Sequence, residues 1–254
     1  MDDAHDMDNE IDQIFGGMDN ADGADNAPFD ELVGMSYVSN LCDFSGTSPV
    51  GETKVSINDT VVKSTTRYKY LGSIIQRDGE IDGDIKHRIQ AGWLKWRAAT
   101  AVLCDRNFPS KLKGKFYRTT IRPALLYRTE CWPVEKIFEH KMEVTKMRML
   151  RWMCGHTLMD RIRNQEFRDK LGVAPISGKM QENRLRRFGH VQRKTFDAPV
   201  RRVESIIVKG KRSRGRPKRT WDEQIRVDLQ ELNLSVDLTR DRSSWRRHIY
   251  VLDY

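Results

Sequence analysis

Lysine and arginine are missing from the first 53 residues, and the remainder of the 254-residue chain carries all 45 of them. Of the 36 acidic residues, 13 lie before Lys54 and 23 after it, so the leader carries −13 and the rest +22, a polarity that the net +9 conceals. A body that positive attracts polyanions, by counterion release from phosphates or through the surface potential of an anionic membrane. Long apolar runs are missing too. No stretch approaches the roughly 18 apolar residues of a membrane span, and the N-terminus lacks the basic start and apolar core of a signal peptide. The expectation is a soluble intracellular protein, nuclear or cytoplasmic, that meets the phosphate backbone of RNA or DNA and no membrane. Cysteine is scarce: Cys42, Cys104, Cys131 and Cys154 stand far apart with no Cys-x-x-Cys pair. Zinc ligands usually come in close pairs, so Cys154 and His156 would need two distant partners, and buried thiols in a reducing compartment are the plainer reading.

The length suffices for one or two domains with real cores. Residues 1–34 are rich in Asp, Asn and Gly and hold too few apolar side chains to offset the entropy of ordering them, so an acidic disordered leader is expected. Between Thr53 and Gln76 the pattern is β-branched alternation. Val55 and Ile57, an Asn58-Asp59 turn, Val61-Val62, then Tyr68, Tyr70 and the run from Leu71 to Ile75 read as a hairpin or small sheet. Beyond Asp78-Gly79 the period turns helical. Ile81, Ile85, Ile89, Trp93 and Trp96 form one stripe that Ala99 and Leu103 continue, while Lys86, Arg88, Lys95 and Arg97 lie mostly elsewhere. Pro109 suits the first turn of a second helix and Pro133 opens a third that stops at Gly155. Asp160 can cap a short helix ending at Gly172, Pro175 precedes another, and Thr220-Trp221-Asp222-Glu223 is a capping box. Ser243-Ser244-Trp245 starts a last short helix. The expected class is α+β, mostly α: an acidic leader at 1–34, a β hairpin region at 35–79, a helical bundle at 80–156, and a basic helical extension at 157–254 with a linker at 209–219.

Six segments then point one way. They are Tyr68-Lys69-Tyr70-Leu71-Gly72-Ser73-Ile74-Ile75-Gln76, the stretch from His87 to Arg97, Lys111-Leu112-Lys113-Gly114-Lys115-Phe116-Tyr117, the stretch from Met147 to His156, Leu185-Arg186-Arg187-Phe188-Gly189-His190-Val191, and Gly215-Arg216-Pro217 before Thr220-Trp221. In this order they resemble the reverse transcriptases of plant LINE-type (non-LTR) retrotransposons, from about Asn40 to the C-terminus. The resemblance implies that the Tyr70-Leu71-Gly72 hairpin ends the palm near the primer grip, that the helices after it are the thumb, and that the rest is the C-terminal extension. It also implies which residues meet nucleic acid: Tyr70 and Gly72 at the hairpin, Lys95, Arg97, Lys111, Lys113 and Lys115 on the thumb, and Arg186 and Arg187 beyond it. Backbone contacts of this kind carry no sequence information.

Catalysis is not expected of this chain. A polymerase palm converges carboxylates on two divalent ions, and the resemblance implies Mg²⁺ for the intact family enzyme. The only Asp-Asp pair here is Asp2-Asp3, in the leader. No catalytic residue, metal ligand or cofactor is therefore assigned, and the chain reads as the C-terminal part of such an enzyme behind an unrelated acidic leader. It departs from the family at Arg128, where glycine usually follows the tyrosine. If that glycine allows close helix packing, arginine would cost roughly 1–3 kcal/mol by overpacking.

The run from Lys209 to Arg219 supports an alternative. Its Arg-Gly-Arg-Pro core is that of an AT-hook, and Arg212, Arg214, Arg216, Lys218 and Arg219 could lie in the narrow minor groove of A·T-rich DNA, which would make the chain a non-enzymatic DNA-binding protein. General phosphate attraction and a solvated linker are the blander readings of the same run. Trp93 and Trp96 read as core at their helical spacing, whereas Tyr68 and Tyr70 share one strand face and suit either packing or primer contact. His87, His140, His156 and His190 have no nearby nucleophile or metal partner in sequence and read as structural or surface groups. The leader is either a solvated tail or a nucleic-acid mimic that shields the basic body.

Overall fold

The computed structural model describes residues 55–57, 60–62, 65–77, 79–133, 136–204 and 219–253. The acidic leader, the Asn58-Asp59 turn and the arm from 205 to 218 lie outside the described residues. The fold is α+β and mostly α, as the change of period implied.

Two antiparallel hairpins come first. Strands β1 (Val55–Ile57) and β2 (Thr60–Val62) pair with Val55 opposite Val62. Strands β3 (Arg67–Tyr70) and β4 (Ser73–Gln76) pair with Tyr68 opposite Ile75 and Tyr70 opposite Ser73. The second hairpin turns through Leu71 (φ 46°) and Gly72 (φ 82°). Left-handed backbone at both central residues is what matches a two-residue turn to the twist of its strands.

Helix α1 (Asp82–Arg97) buries the expected stripe: Ile85, Ile89, Trp93 and Trp96 are all core. Trp93, Trp96 and Trp152 meet pairwise with ring centroids 5.5 Å apart, in tilted and edge-on arrangements that aromatic quadrupoles favour. The stripe does not continue as one helix. The chain breaks at Ala98 and Ala99, and the short α2 (Thr100–Leu103) delivers Leu103 to the core separately. Arg88 also departs from expectation, since it is buried beside Asp84 at 3.7 Å instead of lying off the stripe.

Pro109 precedes α3 (Ser110–Phe116), which runs through a π-helical turn (Tyr117–Ile121) into α4 (Arg122–Leu126). Pro123 follows that turn and cannot donate to the carbonyl four residues back, so the widened turn sits where the α-helical ladder would lose a rung. Gly114 lies against the Leu171 carbonyl so closely that a Cβ would overlap it. That contact lets α3 pack on α6 (Asn164–Leu171). Between them in sequence, α5 (Lys136–Met153) ends at the left-handed Gly155. Asp160 does not cap α6. Its carboxylate accepts from the Thr157 amide at 2.6 Å, and Arg163 occupies the N-cap position.

Helix α7 (Ile176–Gln192) joins two hydrophobic cores. Ile176 and Met180 complete the first, which begins at Ile85, while Leu185 and Phe188 enter the second with Trp221, Ile225, Leu229, Trp245 and Ile249. After α8 (Pro199–Glu204), the second core takes its other members from α9 (Trp221–Glu231) and α10 (Arg242–Ile249). Both hydrogen bonds of the Thr220–Glu223 capping box are present at the start of α9.

The last described residues return to the first core as a strap. Asp253 receives both Arg122 guanidinium nitrogens at 2.7 and 2.9 Å and the Ala174 amide at 3.0 Å, with the Lys179 ammonium at 3.6 Å. Lys179 also donates to the Val251 carbonyl at 2.5 Å, and the Val251 amide donates to Glu182 at 3.2 Å. Burial pushes the Asp253 carboxyl up, but the bonds from Arg122 and Ala174 and the charges of Arg122 and Lys179 outweigh it, so the group sits below its ordinary value.

Candidate nucleic-acid interface

The β3–β4 turn is held by its main chain. The Arg128 guanidinium donates to the Tyr70 carbonyl at 2.9 Å, the Tyr127 hydroxyl donates to the Leu71 carbonyl at 3.2 Å, and Arg88 donates to the Gly72 carbonyl. Arg88 and Arg128 lie over the Tyr127 ring at 5.0 and 5.2 Å, a pair of cation–π contacts that stiffens the clamp. Asp84 ties in the next strand, accepting from the Ile74 amide at 2.9 Å and from the Trp132 indole at 3.1 Å. The carbonyls of Tyr70 and Gly72 thus face the protein. The exposed Tyr68 ring stacks on Tyr70 at 6.2 Å and 25°, on the shared strand face.

Arg128 corrects the packing argument. Its φ is 64°, a left-handed conformation that glycine adopts at no steric cost, so the position calls for backbone freedom more than for a missing side chain. Arginine takes up that conformation and uses its side chain to hold the hairpin.

On the helices the predicted cations separate by face. Lys95 and Arg97 are exposed near the end of α1. Lys111 and Lys115, one helical turn apart, are exposed on α3. Lys113 points the other way, as its half-turn offset requires: it is buried and its ammonium donates at 2.9 Å to the Met153 carbonyl at the end of α5. That is a correction, because this lysine closes a helix terminus and cannot meet phosphate. Arg186 is paired with the buried Glu182. Arg212, Arg214, Arg216 and Lys218 lie outside the described residues, while Arg219 donates to Gln224 at 2.8 Å at the start of α9.

Arg187 belongs to a group that the sequence reading largely missed. Gly189 leaves a notch on α7, where a Cβ would overlap the Trp245 indole. Trp245 is fully buried there and its indole N–H donates to the Leu185 carbonyl at 3.0 Å. This seats α10 across the C-terminal half of α7, and Arg242 and Arg246 arrive beside Arg187, His190, Arg193 and Lys194. The charges that act on His190 are all cationic, namely Lys194, Arg193, Arg187 and Arg242, and Arg193 in turn feels Arg242 and Arg246. Burial and those four charges push the His190 imidazole below its ordinary value. Arg193 is anchored by donating at 2.7 Å to the Thr239 carbonyl. His190, Lys194, Arg242 and Arg246 are exposed. The Arg187, His190 and Arg193/Lys194 spacing along α7 could have revealed part of this ridge; the seating of α10 could not be read from spacing.

Among the described residues, no group of three or more His, Cys, Asp or Glu is placed to hold a metal ion. No helix among them is long and apolar enough to cross a membrane.

No family model and no solved structure matches the chain. It is similar to an uncharacterized transposon-derived protein of Caenorhabditis elegans, with 22% identity over 199 residues that cover 73% of this chain and 71% of the relative. The match supports an origin in a transposable element.

Proposed function

We propose that the chain is a nucleic-acid-binding module derived from the palm end, thumb and C-terminal extension of a plant LINE-type reverse transcriptase, and that it grips the phosphate backbone of RNA or DNA without polymerising. The observation that carries this reading is the α7–α10 ridge. Five cations and the His190 imidazole converge there, and like charges brought together this way repel each other unless a polyanion lies across them. The transposon-derived relative supports an origin in a transposable element and no more specific lineage. Lys111 and Lys115 on α3 and Lys95 on α1 are further exposed cations.

The test is a titration of the full chain against single-stranded DNA, RNA and an RNA–DNA hybrid over a range of salt, with primer extension in Mg²⁺ alongside. Binding is expected to weaken steeply with salt, and the R242A/R246A variant to lower the slope of log K against log salt by about 1–2, roughly one per phosphate contact removed. No extension is expected. Salt-independent binding, or extension by the chain alone, would overturn the reading. A preference for A·T-rich duplex that survives R242A/R246A would move the binding site to the Arg212–Arg219 arm.

A further inference from the structure

We propose that His190 is a proton-linked phosphate ligand of the ridge: it takes up a proton as a nucleic-acid phosphate binds between α7 and α10, so that affinity for polyanions rises as pH falls. The inference rests on the nucleic-acid reading above and adds a binding residue and a control to it.

The geometry supplies the argument. His190 is exposed on α7 with Arg187 about one turn before it, and Arg193 and Lys194 follow just where the helix ends at Gln192. The Trp245 contact at Gly189 sets Arg242 opposite. A phosphate drawn to this ring of cations therefore comes within reach of the imidazole.

The elements packed around this part of α7 present mainly cations and carboxylates that are already engaged. From α10 the charged groups are Arg242, Arg246 and Arg247, with Asp241 at the N-cap. The Asp241 carboxylate is turned into its own helix, accepting from the Ser243 amide at 2.9 Å and the Ser244 amide at 3.2 Å. The turn Val236–Arg240 contributes the Thr239 carbonyl to Arg193, and its Asp237 pairs with Arg240 at 3.7 Å. From α8, Arg201 donates to Gln192 at 2.9 Å. The turn Thr129–Cys131 presents Glu130, which acts on Arg187 and whose carboxyl is pushed up by burial. On α9, Asp228 is taken by Arg184 at 2.8 Å. The charges that weigh most on His190 are thus cationic.

The consequence follows by linkage. In the free protein the cations and partial burial disfavour imidazolium. A bound phosphate cancels part of that field and accepts a hydrogen bond from the charged ring, so the bound-state pKa exceeds the free one. Between those two values binding takes up a proton, and each unit of separation is worth at most about tenfold in affinity.

The experiment measures binding of the full chain to a fluorescein-labelled single-stranded oligonucleotide at constant ionic strength, for wild type, His190→Asn and R242A/R246A. Wild-type binding is expected to tighten roughly 3- to 10-fold from about pH 8 to about pH 6. H190N should lose most of this tightening. Since His190 is exposed, its replacement should leave the thermal unfolding midpoint unchanged, and this serves as the folding control. Retention of the full pH dependence in H190N would overturn the inference. So would a flat wild-type profile in a protein whose binding is weakened by R242A/R246A, an outcome that leaves the nucleic-acid reading standing. If R242A/R246A binds as wild type at every pH, the ridge is not the interface and both conclusions fall.

Discussion

Replacing Asp253 by alanine removes one carboxylate and strands several groups that depend on it. Arg122 loses two charged hydrogen bonds of 2.7 and 2.9 Å, the Ala174 amide loses its acceptor, and Lys179 loses an anion at 3.6 Å. Breaking a buried ion pair from one side costs about 3–5 kcal/mol, because the remaining charge stays desolvated. Here the side chains of Arg122 and Asp253 are 14% and 16% exposed, so water recovers part of that loss, and about 2–4 kcal/mol is expected. For a folded body of this size that lowers the thermal midpoint by about 5–12 °C. Asp253→Asn keeps an acceptor for Ala174 and should cost about half as much. The pH profile has a definite sign. The folded-state pKa of Asp253 is lowered, so the contribution is complete above the unfolded value of about 4 and is lost as pH falls through the folded one. Thermal melts of wild type, D253A, R122A and the double variant, run at neutral pH and near pH 3, test this. A coupling energy between positions 122 and 253 below about 0.5 kcal/mol, or a D253A deficit that persists unchanged in acid, would refute the reasoning.

Two further changes probe buried charges. At position 128, glycine should be more stable than alanine by about 1 kcal/mol in chemical denaturation, because both lose the bond to the Tyr70 carbonyl but only alanine keeps the left-handed strain. Burial pushes the Lys146 ammonium down to about 8, with Glu143 at 3.3 Å offsetting part of the cost. The unfolded chain then holds the extra proton between about pH 8 and about 10.4, so stability rises with pH across that window. Lys146→Met should flatten this rise and stabilise the protein at pH 7 by about 1–3 kcal/mol, since Glu143 keeps Arg168 at 3.1 Å.

Local rules read well from this sequence. The Ile81 to Trp96 stripe, the capping box at Thr220 and the prolines before α3 and α7 each depend on neighbours within a turn or two, and each stands where spacing puts it. What spacing could not show was long-range: that Arg88 would turn inward to meet the Gly72 carbonyl, that Lys113 would reach the end of α5, and that Trp245 would fill a notch at Gly189. The candidate interface divides in the same way. Lys111 and Lys115 were named only together with Lys113, which burial takes out of the surface, whereas the ridge exists only once α10 is seated on α7. The meaning of Arg128 was hidden for another reason, since a positive φ at an arginine has no signature in composition or periodicity.

Because the clamp at Arg88, Tyr127 and Arg128 takes hold of backbone oxygens, the hairpin it secures keeps its seat whatever side chains its tip carries. Position 70 can therefore drift, in an element free to accumulate changes, while the three gripping residues cannot. A scaffold built this way can exchange the side chain at that position without having to evolve a new way of holding the hairpin.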